Sequence, residues 1–271
     1  MQLSFVLLFD FLHCYVNLLK SSGCSVYFAY FCTYETNILS NMSDGFTFKR
    51  FTVSHGKCAM KVGTDGVLLG AWAAGGRRIL DVGTGSGLIA LMMAQRFADA
   101  LVTAIDIEHG ACLQARENVA ASPFADRICV AETSLQDFSG GEFDSIVCNP
   151  PFYAGTLSSK TVARTMARSA ETLPFTDLFG HVARLLAEGG VFSVVIPAAV
   201  RREFDGEAAL SGLFPRRACM VKTVPHKSVS RCLLEYGKQP SPCFEEAKEC
   251  LNNADMTRSA WYSRLTEEFY L

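Results

Sequence analysis

From residue 77 onward, short apolar runs alternate with longer helical ones, and this alternation restricts the chain to few architectures. Strands are expected at 78–82, 101–105, 127–130, 143–148 and 191–196. Helices are expected at 88–97, 110–121, 176–187 and 202–213. Proline stops the run at 110–121, and Gly189-Gly190 follows the run at 176–187. The run 191–196 is apolar except for Ser193, as a strand buried on both faces requires. Serial strand–helix units with right-handed crossovers imply an α/β fold, a doubly wound and mostly parallel sheet. Two β-rich runs, 218–224 and 229–236, suit an antiparallel pair closing its C-terminal side. Residues 237–254, polar with two prolines, read as loop, and 256–271 as a helix with aromatic residues on one side.

The length of 271 residues is enough for one large or two small domains with a buried core. A hydrophobic fraction of 49% with 19% charged residues excludes a largely disordered chain. The net charge of −2 leaves only a local surface for any nucleic acid. Residues 42–153 are net −3, whereas 154–235 carry an excess of base in Lys160, Arg164, Arg168, Arg201, Arg202, Arg216, Arg217, Lys222 and Lys227. The 11 cysteines include no C-x-x-C pair, so no zinc site and no disulfide framework is read, and reduced thiols in a cytoplasmic protein are expected.

Residues 1–41 differ from the rest, being rich in Phe, Tyr, Leu, Val and Cys. No positive charge precedes their apolar run, and Asp10, His13 and Asn17 interrupt it, so neither a signal peptide nor a spanning helix is read. Met42 resembles an ordinary chain start. Residues 1–41 are therefore expected to be a non-native or disordered extension, 42–240 the main domain and 241–271 a tail.

The first strand ends in Asp81-Val82-Gly83-Thr84-Gly85-Ser86-Gly87. A glycine-rich strand-to-helix turn lets the backbone approach a ligand at the carboxyl end of the sheet. The spacing G-x-G-x-G differs from the dinucleotide fingerprint G-x-G-x-x-G, and no Gly-Lys-Ser/Thr follows for a Walker loop. Asp81 is a poor neighbour for a pyrophosphate but suits a ligand with a cationic end. Asp106, closing the second strand, is placed to accept both hydroxyls of a ribose. The two carboxylates together suit an adenosine ligand without phosphates, such as S-adenosylmethionine. A purely structural glycine turn is the alternative.

The strand at 143–148 runs into Asn149-Pro150-Pro151-Phe152. Two prolines stiffen the backbone and remove two N–H donors, leaving carbonyl oxygens and the Asn149 amide oxygen. Such a ledge suits an –NH2 group that donates two hydrogen bonds. Phe152 adds a flat apolar face on which a base could stack. His55 and His226 are read as packed or exposed rather than as general bases, and Cys148 as a core residue without chemistry. Trp72 and Phe48 are read as core or lid.

The turn at 81–87, Asp106 and N-P-P-F resemble class I S-adenosylmethionine-dependent methyltransferases that modify amino nitrogens. A further stretch, Phe46 to Phe51, His55, and C-A-M-K-V-G-T-D-G-V-L-L-G-A-W at 58–72, closely resembles the start of the bacterial tRNA1(Val) adenine-N6 methyltransferases. The resemblance covers roughly 45–236. It implies a Rossmann-like methyltransferase sheet and transfer of a methyl group to an adenine N6 beside the anticodon. The catalytic positions it implies are Asn149, Pro150, Pro151 and Phe152. The cofactor positions are Lys61, Thr64, Asp65, Asp81, Gly83, Thr84, Gly85, Gly87, Asp106, Ile107, Ser134, Leu135 and Asn149, with no metal. The anticodon loop of valine tRNA would meet the basic surface within 154–235, and a monomer without membrane attachment is expected. Ser134 stands where such enzymes often carry an acid near the cofactor's adenine, and Glu132 or Asp137 is a candidate substitute. Methylation of a protein glutamine amide, a silent cofactor- or RNA-binding module, and a guanine-modifying rRNA enzyme are the competing readings.

Overall fold

A computed structural model describes residues 45–58, 61–150 and 173–271. The extension 1–41, together with Pro151, Phe152, Lys160, Arg164 and Arg168, lies outside the described residues. Gly45–Thr47 (β1) and Thr52–Ser54 (β2) form a small two-stranded sheet, and Thr64–Trp72 (α1) follows. Alternation then sets in with Arg78–Val82 (β3), Leu88–Arg96 (α2), Leu101–Asp106 (β4), His109–Ala120 (α3), Ile128–Glu132 (β5) and Phe143–Cys148 (β6). Next come Phe175–Leu185 (α4), Leu186–Pro197 (β7), Arg201–Leu210 (α5), Phe214–Lys222 (β8) and Val229–Gly237 (β9). Glu245–Cys250 (β10) and Ala260–Leu265 (α6) complete the chain.

The main sheet has eight strands in the order β10-β8-β9-β7-β6-β3-β4-β5. β3 to β7 are mutually parallel where they pair, and β9 runs antiparallel between β7 and β8. The expected doubly wound sheet and its antiparallel closing pair are both present. The two core clusters lie on the two faces of the sheet. α1, α2 and part of α3 fill one with the chain's last aromatic residues; α4 and α5 fill the other. α2, L-I-A-L-M-M-A-Q-R, is apolar on nearly every side because it lies between the sheet and α1. Gly70 of α1 gives Met92 the room for that contact, since a Cβ there would lie 2.9 Å from the Met92 Cβ.

Three expectations are corrected. Residues 245–250, read as loop, form β10, paired in parallel with β8 along its whole length. Its sequence E-E-A-K-E-C is polar because it is an edge strand exposed along most of its length. The helix read as 176–187 ends at Leu185, and Gly189-Gly190 lies inside β7 rather than past a helix cap. The tail helix is confined to Ala260–Leu265.

Candidate active site

Order reversal in the sheet occurs at β3, which has β4 on one side and β6 on the other. In open α/β sheets a crevice forms outside the carboxyl ends of the strands at such a point. The last register pair there is Val82 with Cys148, so the chain leaves both strands at one level, into Gly83 and into Asn149.

The turn after β3 is built by its glycines. Gly83, Gly85 and Gly87 have φ of 69°, 56° and 82°, a region that L side chains rarely adopt. A Cβ placed on Gly83 or Gly85 would meet nothing within 4 Å, so these two glycines face open space. Gly87 instead backs onto Ala115 of α3, where a Cβ would lie 3.4 Å away. The glycines therefore divide: two border a cradle and the third permits close packing.

Asp81 is fully buried beneath this turn. Its Oδ2 accepts hydrogen bonds from Thr84 Oγ1 at 2.6 Å and from the Ala90 N–H at 3.1 Å. The second bond satisfies an orphan donor in the first turn of α2, whose N-cap, Gly87, has no side chain to do so. Oδ1 is buried without a partner. Burial drives the carboxyl up to about 7; the nearby Asp106 adds to the rise and the two hydrogen bonds oppose it. Asp81 thus shapes the cradle from below.

Asp106, half-buried at the end of β4, closes the other side. Its Oδ2 accepts from the Gly85 N–H at 2.8 Å and its Oδ1 from the Glu108 N–H at 3.0 Å. Beside it Ile107 is 63% exposed, an apolar side chain held in solvent at the rim. Open space over two glycines, a partly exposed carboxylate and an exposed apolar residue are what an adenosine with a charged tail requires. The residues present fit S-adenosylmethionine.

Past β5, Ser134 donates to Asp137 Oδ2 at 2.7 Å and accepts from the Asp137 N–H at 3.0 Å. Its hydroxyl is committed within its own turn, and the acid it holds is Asp137. Glu132 is engaged elsewhere, with His109 Nδ1 at 2.8 Å. Leu135 is buried in the core under this turn rather than displayed at the rim.

Across the crevice, Asn149 and Pro150 follow β6, both half-buried. The Asn149 carboxamide makes no hydrogen bond among the described residues and lies against the start of α1: a Cβ on Gly66 would sit 3.9 Å from its Nδ2. Thr64 and Asp65 open α1, after Lys61 and Gly63, so part of the predicted cover is at the same edge as the ledge. Cys148, next to Asn149, is buried; burial first, then Asp81 and Asp106, keep its thiol protonated. His55 is buried as well, on the loop that packs on α3. His226 is exposed in the β8–β9 turn.

The basic residues read as one surface divide. Arg217 lies over Trp72 at 3.9 Å and pairs with Glu235 at 2.7 Å, while Arg201 pairs with Glu246 and Asp205. Lys222 ends β8 and Lys227 lies in the following turn, at the carboxyl edge of the parallel strands. Sequence reasoning missed Arg231, which forms an ion pair with Asp65 at 2.6 Å. No signal could have found it, because the partners are 166 residues apart. Among the described residues no group of three or more His, Cys, Asp or Glu could hold a metal. No helix among them is long and apolar enough to cross a membrane.

The sheet order and the glycine turn define a methyltransferase fold. A predicted O-methyltransferase from Agrobacterium tumefaciens shares it with a TM-score of 0.58 at 19% identity, over 76% of this chain and 96% of that one. The family model described as "Methyltransferase small domain" matches residues 62–223. Similarity to curated proteins is closer. The tRNA1(Val) (adenine(37)-N6)-methyltransferase of Aeromonas hydrophila is 43% identical over 232 residues, 84% of this chain and 98% of that protein. The protein of that name from Bacteroides thetaiotaomicron is 45% identical over 83% of this chain and 97% of its own length. The chain belongs to this family of small-domain methyltransferases.

Proposed function

We propose that this protein transfers the methyl group of S-adenosylmethionine to the N6 amine of adenine 37 in tRNA1(Val). The observation that carries the reading is the likeness to curated relatives of that activity over nearly their whole length. The Asn149 carboxamide, without a hydrogen bond among the described residues and following β6 at the level where β3 enters the glycine turn, agrees with it.

An adenine amine is a weak nucleophile because its lone pair is delocalised into the ring. The Asn149 amide oxygen and the Pro150 carbonyl each accept one amine hydrogen, which favours a pyramidal nitrogen with its lone pair free. Proline at 150 and 151 removes competing N–H donors and fixes the ledge. When bound, the cofactor supplies a methyl group already activated by its sulfonium. The protein's part is placement, worth up to about 7–11 kcal/mol when the geometry is right. Asp106 takes the ribose hydroxyls, Gly83 and Gly85 leave room for the tail, and Asp81 keeps the turn in shape. Asp137, held by Ser134, is the acid for the adenine edge, and Ile107 packs on that base. Cys148 takes no part, since a buried protonated thiol is not a nucleophile.

An anticodon-loop base is already unpaired, so bringing it to the ledge costs at most a few kcal/mol. Lys222 and Lys227, at the carboxyl edge of the parallel strands, meet the RNA backbone, and Phe152 is the residue assigned to stack on the base. We read the chain as a cytoplasmic monomer.

The test is to map labelled methyl incorporation across total tRNA, rRNA and protein from a strain lacking the gene. The reading expects N6-methyladenosine at position 37 of tRNA1(Val). Label in rRNA or in glutamine side chains instead would overturn it.

A further inference from the structure

We propose that Arg231 is a positioning residue for methyl transfer, acting through Asp65 to hold the first turn of α1 against Asn149. The inference rests on the functional reading above and concerns what keeps its ledge in place.

The Asn149 carboxamide has no hydrogen bond among the described residues to fix it. What lies beside it is the first turn of α1. Gly66 packs tightly on Leu88, where an added Cβ would come 3.0 Å from Cδ2, and that Cβ would reach the Asn149 Nδ2 at an ordinary contact distance of 3.9 Å. Any shift of that turn would therefore change the space in which the carboxamide sits.

The turn has little local support. Its N-cap is Gly63, which makes no side-chain cap, and residues 61–63 have no regular structure. A helix start without a cap frays unless tertiary contact holds it. The contact is Asp65, one residue before Gly66, whose Oδ1 lies 2.6 Å from Arg231 Nε as an ion pair outside hydrogen-bond geometry. Arg231 is anchored on β9 between Pro197 of β7 and Val221 of β8, near the sheet edge where β6 delivers Asn149. Its side chain is 22% exposed and its Nη1 is buried without a hydrogen bond. The Asp65 carboxylate, itself 46% exposed, is the ion-pair partner of this largely buried charge. A rigid strand fixes the guanidinium, the guanidinium fixes Asp65, and Asp65 fixes the backbone that borders the carboxamide.

The experiment uses the full-length chain with Arg231→Met and Arg231→Lys. Four quantities are read: kcat and KM on a tRNA1(Val) transcript, the cofactor Kd, the melting temperature, and the Asn149 side-chain amide resonance, assigned by its loss in Asn149→Asp. The expected result is that Arg231→Met lowers kcat by about tenfold or more, the scale of a misplacement below 1 Å. The Asn149 resonance moves with it, and Arg231→Lys restores both in part. An unchanged kcat overturns the proposal, as does an unmoved Asn149 resonance beside a lowered melting temperature, which would make the pair mere support for the fold. Should the wild type methylate no tRNA, the substrate reading fails by itself. The resonance then decides the clamp: a shift in Arg231→Met supports it, and no shift overturns it.

Discussion

Asp81 and Asp106 stand 25 positions apart and take different parts, and burial decides which. Asp81 lies wholly inside, bonded to Thr84 and to the start of α2, so it organises the turn. Asp106 keeps part of its carboxylate at the rim. Because burial pushes Asp81 up to about 7, the folded state holds its proton more tightly than the unfolded chain does. The stability it contributes is full below about pH 4 and is lost as pH rises towards 7, with a slope of at most ~1.4 kcal/mol per pH unit. Melting curves of wild type and Asp81→Asn between pH 4 and 7.5 check this. The wild type should lose ground to the variant as pH rises, and parallel curves would refute the assignment. For Asp106→Ala the expected outcome is cofactor affinity lower by about tenfold or more, the scale of one charge-assisted hydrogen bond. An unchanged Kd by calorimetry would remove the ribose role. Both acids were legible in the sequence from the turn and the strand end. Their division of labour was not, since depth of burial depends on helices packed from elsewhere in the chain.

At the scale of elements, the strand-to-helix turn after β3 makes a sharp prediction. Gly85 has φ +56° and open space where a Cβ would go. Gly85→Ala should therefore cost about 1–2 kcal/mol of stability from backbone strain alone. Its methyl group also enters the cradle, so cofactor affinity should fall by more than the stability loss explains. Thermal melts and cofactor titration separate the two effects. An intact Kd would mean that the ligand does not use that face. The buried parallel strands were readable because strands covered on both faces run apolar and end in glycine, proline or a polar turn. β10 was not, because an edge strand exposed along most of its length carries no apolar alternation. The reach of β7 back to Leu186 was hidden by two glycines that look like a helix stop. Asp65 was expected near the cofactor, and its tie to β9 could not be read from α1's own sequence.

Over the whole molecule, the two ends of the described domain clasp each other. The Lys49 N–H donates to the Phe269 carbonyl at 2.8 Å, Phe48 stacks on Tyr270, and Phe269 is buried in the same core as α2. That clasp belongs to the same core cluster as α1, the helix bordering the ledge. A site at the switch point of such a sheet draws its parts from β3, β4, β6 and α1, and its chemistry follows from their common edge. On the proposed function, Asn149 orients the adenine amine while the cofactor is held separately by the glycine turn and Asp106. The most direct measurement pairs cofactor titration with mass-spectrometric quantification of N6-methyladenosine at position 37 of a tRNA1(Val) transcript, for wild type and Asn149→Ala. The expected outcome for Asn149→Ala is a cofactor Kd within a few-fold of wild type and loss of methylation. Methylation at the wild-type rate by Asn149→Ala, or lost methylation explained by lost cofactor binding, would contradict it.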